Sequence, residues 1–163
     1  MASVSQQILL GSAAVRTQGN IITGGTNIGN LTVNGGLAAA FDGVTNQGGG
    51  VCAAVGGTNG YVGKSISKRV YGATVYGSND NGYDAANPSI TITLYGKIGA
   101  APANGTDGTI LGSVTFTDTA NESGNPHAIT SNDNETVWAH TWINVTGSTS
   151  NVLVAEAQIY ESV

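Results

Sequence analysis

Charge is what this sequence of 163 residues has least of: 9% of its residues are Asp, Glu, Lys or Arg, against a typical ~25%. The basic side chains are Arg16, Lys64, Lys68, Arg69 and Lys97, the net charge is −5 and the pI is about 4.6. That balance argues against electrostatic binding to nucleic acid. Cysteine is nearly absent too. Cys52 stands alone, which excludes an intrachain disulfide and a cysteine-based metal cluster. Beside Val51, Ala53 and Ala54 it reads as a small buried hydrophobe. No apolar run approaches the ~18 residues a membrane span requires. The opening MASVSQQILLGSAAV lacks a basic n-region, and its apolar stretch breaks after Leu10, so it does not read as a signal peptide.

What is present is apolar content of 40% and 25 glycines. Disorder needs low hydrophobicity together with high net charge, so a folded domain is expected. The length suits a single domain burying roughly 70% of its unfolded surface. Helical periodicity is almost missing. From about Tyr61 the chain alternates short β-rich runs with Gly, Asn, Asp and Pro clusters. Ser89–Tyr95 (SITITLY) is the cleanest strand, with Ile90, Ile92 and Leu94 on one face. Lys68–Tyr76, Thr109–Thr117, Val137–Thr146 and Val152–Tyr160 are further strands. The pattern predicts an all-β fold, an antiparallel β-sandwich or jelly roll. Residues 1–30 differ: Ile8-Leu9-Leu10 and Ile21-Ile22 sit among polar residues and glycine, as an arm or an added strand. Residues 31–163 form the jelly-roll domain.

Chemistry-bearing residues are sparse. His127 and His140 have no metal-ligand spacing, no G-x-S-x-G elbow occurs, and Gly63-Lys64-Ser65 lacks the upstream glycine of a phosphate loop. An enzyme is not expected. The run Ser78–Asp84 (SNDNGYD) lacks the spacing of an EF-hand. It reads as a hairpin loop, or as a carbohydrate-binding loop using Asn79, Asp80 and Tyr83. Trp138, His140 and Trp142 share one face of their strand, opposite Val137, Ala139, Ile143 and Val145, which look like the core side. Trp138 and Trp142 are then either a stacking platform or an interface covered by another chain, unless twist buries them.

Ordered blocks along the chain resemble the discoidin family, also called coagulation factor 5/8 type C or galactose-binding-like domains. These are Ala39–Gly43 (AAFDG), Tyr61–Ile66, Val70–Asn79, Trp138–Val145 and Ala155–Tyr160 (AEAQIY). The wording looks most like such domains in bacteriophage virion proteins. The usual Trp after the Asp-Gly loop is missing, replaced by Gln47–Val51, as is the cysteine pair of animal versions. The resemblance implies a jelly roll, and a structural calcium held by Asp42 and Glu156, with Gln47 where the family has Thr, and Thr45 and main-chain carbonyls completing the shell; otherwise Asp42 starts a turn and Glu156 is hydrogen-bonded nearby. It also implies a non-enzymatic virion structural protein, a capsid decoration or tail component at the virion surface. Its partners would be phage capsid or tail proteins and its own copies, most naturally as a homotrimer, with Ile8, Leu9, Leu10, Trp138 and Trp142 at interfaces. The alternative is a carbohydrate-binding module recognising host-surface or polysaccharide glycans, extracellular or on a bacterial cell surface.

Overall fold

The computed structural model describes residues 15–48, 51–54, 57–84, 86 and 88–163; Ile8, Leu9 and Leu10 lie outside the described residues. In chain order the elements are β1 (Gln18–Ile21), β2 (Thr26–Gly29), β3 (Val33–Asn34), the single-turn α1 (Gly36–Ala39), β4 (Cys52–Ala54), β5 (Asn59–Tyr76), β6 (Ser89–Lys97), β7 (Thr109–Thr117), β8 (His127–Thr130), β9 (Val137–Thr146), β10 (Val152–Val154) and β11 (Glu156–Ser162). The main sheet runs β1-β11-β5-β9-β6-β7, with β2 and β8 also paired to β5, and a small sheet runs β10-β4-β3. Each pairing is antiparallel. The architecture is the expected all-β antiparallel jelly roll.

Alternation decides the core. Ile90, Ile92 and Leu94 of β6 are fully buried, and they meet Val62, Val70 and Val75 of β5, Ile143 and Val145 of β9 and Ile159 of β11. Two strands match their expected bounds, Thr109–Thr117 and Val137–Thr146, and β6 continues to Lys97. Lys68–Tyr76 proves to be the second half of β5. The closing run divides at Ala155: β10 joins the small sheet and β11 the main one. Fully buried Ala155 donates its N–H to the Tyr76 carbonyl at 2.9 Å as the chain passes between them. Residues 18–29 lie inside the main sheet, with β1 on β11 and β2 on β5, and Ile22 belongs to the core.

The two tryptophans differ from expectation. Trp138 is 5% exposed and sits in the core, its ring against Gly96, where even a methyl group would collide at 2.5 Å. The cause is a bulge in β5 between Ser65 and Lys68, opposite His140 and Trp138. A bulge twists the ladder and redirects side chains, so strict alternation fails there and Val137 is left exposed. Trp142 does lie on the face opposite Ile143, but the chain covers it itself. It stacks on Tyr95 at 5.5 Å and 8°, meets Tyr61 edge-on, and donates Nε1–H to the Gly105 carbonyl at 2.7 Å. Neither tryptophan offers an exposed apolar face to a neighbouring subunit.

Since Ile22 completes the core from a segment that the sequence separates from the domain, Ile22→Ala is expected to cost about 2–4 kcal/mol, the range for truncating a buried aliphatic side chain. Chemical denaturation checks this; a change within about 0.5 kcal/mol would mean that β1 and its connection are not structurally coupled to the sandwich.

Candidate functional site

Four connections converge at one end of the sandwich. The turn 42–48 meets the loop 77–84 through Asn79, whose N–H donates to the Gln47 carbonyl and whose Nδ2 donates to Asn46 Oδ1, both at 2.8 Å. The loop 118–125 joins through Glu122 N–H to the Ser78 carbonyl at 3.0 Å. The turn 148–150 joins through Asp84, which accepts hydrogen bonds from the Ser148 hydroxyl, the Thr149 N–H and the Ser150 N–H and hydroxyl. Short polar side chains suit this task because they bond to backbone groups that no strand partner satisfies.

Buried carboxylates hold these loops. Asp118, 2% exposed, accepts the N–H groups of Tyr83, Asp84 and Thr119 at 2.8–3.1 Å. Burial pushes its carboxyl up to about 6, with nearby Glu122 adding to the effect against the N–H bonds. Glu122, fully buried, accepts from Thr119 Oγ1 at 2.6 Å, Asn125 Nδ2 at 2.8 Å and His127 Nε2 at 3.0 Å. Burial alone would raise Asp84, but the bonds from Ser148, Ala86, Ser150 and Thr149 outweigh it and hold the carboxyl well below its ordinary range. Sequence reading missed Asp84, Asp118 and Glu122 as organisers. Asp84 ends the loop Ser78–Asp84, and nothing local marks its partners 64–66 residues away.

Of the residues expected to contact sugar, Asp80 is exposed and Asn79 half-buried at this end. Tyr83 is not available: it is fully buried, edge-on to Phe116 and His127. Its ring fills the core beneath the loop, because Asp118 pins the backbone N–H groups on either side of its Cα.

The expected calcium residues come together, but as a hydrogen-bonded turn. Asp42 accepts Gln47 Nε2–H on both oxygens at 3.0 Å and the Val44 N–H at 2.8 Å. Thr45 lies half-buried in the same turn. Glu156, 4% exposed, accepts the Gly43 N–H at 3.2 Å. A small cavity of about 250 Å³ beside them also contains Lys64, whose ammonium bonds Asn27 Oδ1 at 3.0 Å and lies 4.2 Å from the Phe41 ring centroid. Calcium takes six to eight oxygen ligands. Here the carboxylate oxygens are engaged by N–H donors and an ammonium shares the cavity, so the residues do not fit that shell. Among the described residues no three His, Cys, Asp or Glu side chains are placed to hold a metal.

No family model matches the sequence, and no curated protein sequence matches it. Solved structures do match. A fucolectin from striped bass (Morone saxatilis) serum superposes over 89% of this chain and 49% of its own, with a TM-score of 0.66 and 15% identity. The chain thus spans about half that lectin's length. The lectin domain of Lectinolysin, solved with Lewis b, is similar over 91% of this chain and 100% of its own, at a TM-score of 0.61 and 14% identity. The family 32 carbohydrate-binding module of C. perfringens NanJ, solved with galactose, covers 83% of this chain and 93% of its own, at 0.58 and 12%. The chain has the discoidin-like, galactose-binding-like fold. Within that fold the Asp42 turn and the Glu156 strand meet, as the sequence resemblance implies.

Burial first, and then Asp42, raise the Glu156 carboxyl to about 7, against the Gly43 and Asp42 N–H groups and Lys64. In the unfolded chain Glu156 releases its proton near the ordinary glutamate value of about 4.3, whereas the folded galactose-binding-like domain retains it to about 7. This contribution to stability is therefore complete below about pH 4 and is lost as the pH rises through 7. Glu156→Gln, which keeps an acceptor for Gly43, should match the wild-type Tm below about pH 4 and exceed it at pH 8. A Tm difference that is the same at both pH values would contradict this. The melting temperature should also be insensitive to chelator.

Proposed function

We propose that this chain is a non-enzymatic carbohydrate-binding module that recognises a glycan with the loop end of its sandwich. The supporting observation is the nature of its structural neighbours: fucolectin, Lewis b-bound and galactose-bound modules are similar to it across more than four-fifths of its length. Since a shared fold does not assign a function, the reading leans equally on the loop end itself. There Asn46, Gln47, Asn79 and Asp80 present amides and a carboxylate on a surface poor in charge. Such groups donate to and accept from sugar hydroxyls without desolvating an ion pair. The loops beneath are held by Asp84, Asp118 and Glu122, so the rim is pre-organised and loses little entropy on binding.

Catalysis has no support in the same place. The clustered carboxylates Asp84, Asp118 and Glu122 are buried and committed to backbone N–H and hydroxyl groups. The setting follows from the sequence resemblance: display at a virion surface, as a homo-oligomer on capsid or tail proteins, where glycan recognition would serve host contact. That setting rests on the resemblance alone.

A glycan array probed with the purified chain is expected to show selective binding. Losing two hydrogen-bonding groups in Asn79→Ala combined with Asp80→Ala should weaken it roughly 5- to 150-fold, since each such bond contributes ~0.5–1.5 kcal/mol, with little change in Tm. An array with no signal above background would overturn the glycan reading and leave a purely structural role.

A further inference from the structure

A second site lies on the flank of the sandwich. A groove of about 700 Å³ is built on the bulge of β5 and is lined by Ser65–Lys68, by Ala139 and His140 of β9, by Glu161 of β11 and by the connection 21–25. It shares no residue with the loop end formed by Asn46, Gln47, Asn79 and Asp80. Its volume falls within the ~300–1,000 Å³ of small-molecule clefts.

The backbone explains why a groove forms here. Ser65 is opposite His140 and Lys68 is opposite Trp138, so Ile66 and Ser67 together face the single residue Ala139. That extra residue bends the strand and turns side chains out of the regular pleat. The wall is the Gly24-Gly25 turn. Gly25 has φ +89°, and a Cβ on it would lie 2.3 Å from the Ser65 carbonyl oxygen, so this close approach demands glycine.

The chemistry is mixed and electrically balanced. Lys68 Nζ donates to Glu161 Oε1 at 2.8 Å across the groove. The pair leaves two ammonium hydrogens and a second carboxylate oxygen at the rim. His140 Nε2–H donates to the Gly99 carbonyl at 2.9 Å, so Nδ1 accepts the Ser65 hydroxyl at 2.8 Å. Ser65 Oγ therefore keeps its lone pairs for an incoming hydroxyl. Ser67 is exposed beside it, and Ile21, Ile66 and Ala139 supply apolar surface. Paired donors and acceptors of zero net charge beside apolar patches suit a neutral polyhydroxylated molecule; an anion would meet Glu161.

We infer that this groove is a second ligand site, separate from the loop end, and that it takes a neutral saccharide. The ligand class rests on the glycan-binding reading; the location rests on the groove.

The test is an NMR titration of the ¹⁵N-labelled full chain with galactose, fucose and N-acetylglucosamine, each added separately. Amides of Gly24, Gly25 and Ser65–Lys68 are expected to shift with at least one sugar. A Cβ on Gly24 meets no atom within 4 Å, so Gly24→Tyr can obstruct the groove and should weaken that response at least tenfold. Ser67→Tyr, at an exposed position, provides a second obstruction should the first variant melt early. Asn79→Ala should leave the groove response unchanged. The inference is overturned if no groove amide moves with any of the three sugars, or if neither tyrosine weakens the response. Shifts confined to residues 46–48 and 79–80 would overturn the groove while upholding the loop end. Shifts in the groove with none at the loop end would do the reverse.

Discussion

The structure depends on one strand. β5 runs for 18 residues and pairs with β2, β8, β9 and β11. Its first half carries β2 and most of β9, and its second half carries β8 and β11. A strand shared in this way must change direction, and the bulge between Ser65 and Lys68 occurs between the two sets of partners. The same bulge lies opposite the stretch where Trp138 turns into the core, and it opens the groove on the flank. Packing and both candidate binding surfaces follow from how β5 bends and where it ends.

Scarcity of charge shapes the rest. With so few ionic groups, those that are buried have structural work. Asp84 and Asp118 gather backbone N–H and hydroxyl donors from segments that are distant in sequence, and Glu122 closes its own loop through Thr119, Asn125 and His127. An unpaired buried carboxylate would be costly, and these acids avoid that cost by satisfying donors that the sheets leave over. The loop end is therefore rigid beneath and polar above. Lys64 and Glu156 form a different case: burial, with Asp42 adding to it, keeps the Glu156 proton to about 7 despite the Lys64 ammonium in the same cavity.

The resemblance and the structure agree at the level of fold and diverge at individual side chains. Asp42, Gln47 and Glu156 meet as the family pattern implies, yet Gln47 presents its amide nitrogen to Asp42 where the family has a hydroxyl. With both Asp42 oxygens held by the Gln47 amide, the turn is closed by hydrogen bonds. Tyr83 shows the same limit. Its neighbours Asn, Asp and Gly mark a surface loop correctly, but Asp118, 35 residues away, decides that the ring points inward.

Local chemistry was enough for much of the chain. Alternating Ile and Thr in β6, the β-branched runs of β7 and β9, and turn residues between them specify strands, because period two and turn conformations are properties of neighbouring residues. Scarce charge and a single cysteine argue against whole classes of function for equally local reasons. What tertiary structure alone decided depends on pairing across the chain. The β5 bulge reverses the expected facing of Trp138, Ala155 parts one apolar run between two sheets, and residues 18–29 become sheet strands because β11 and β5 offer them edges. Register, bulges and long-range hydrogen bonds are set by the partner strand, and no stretch of sequence contains its own partner.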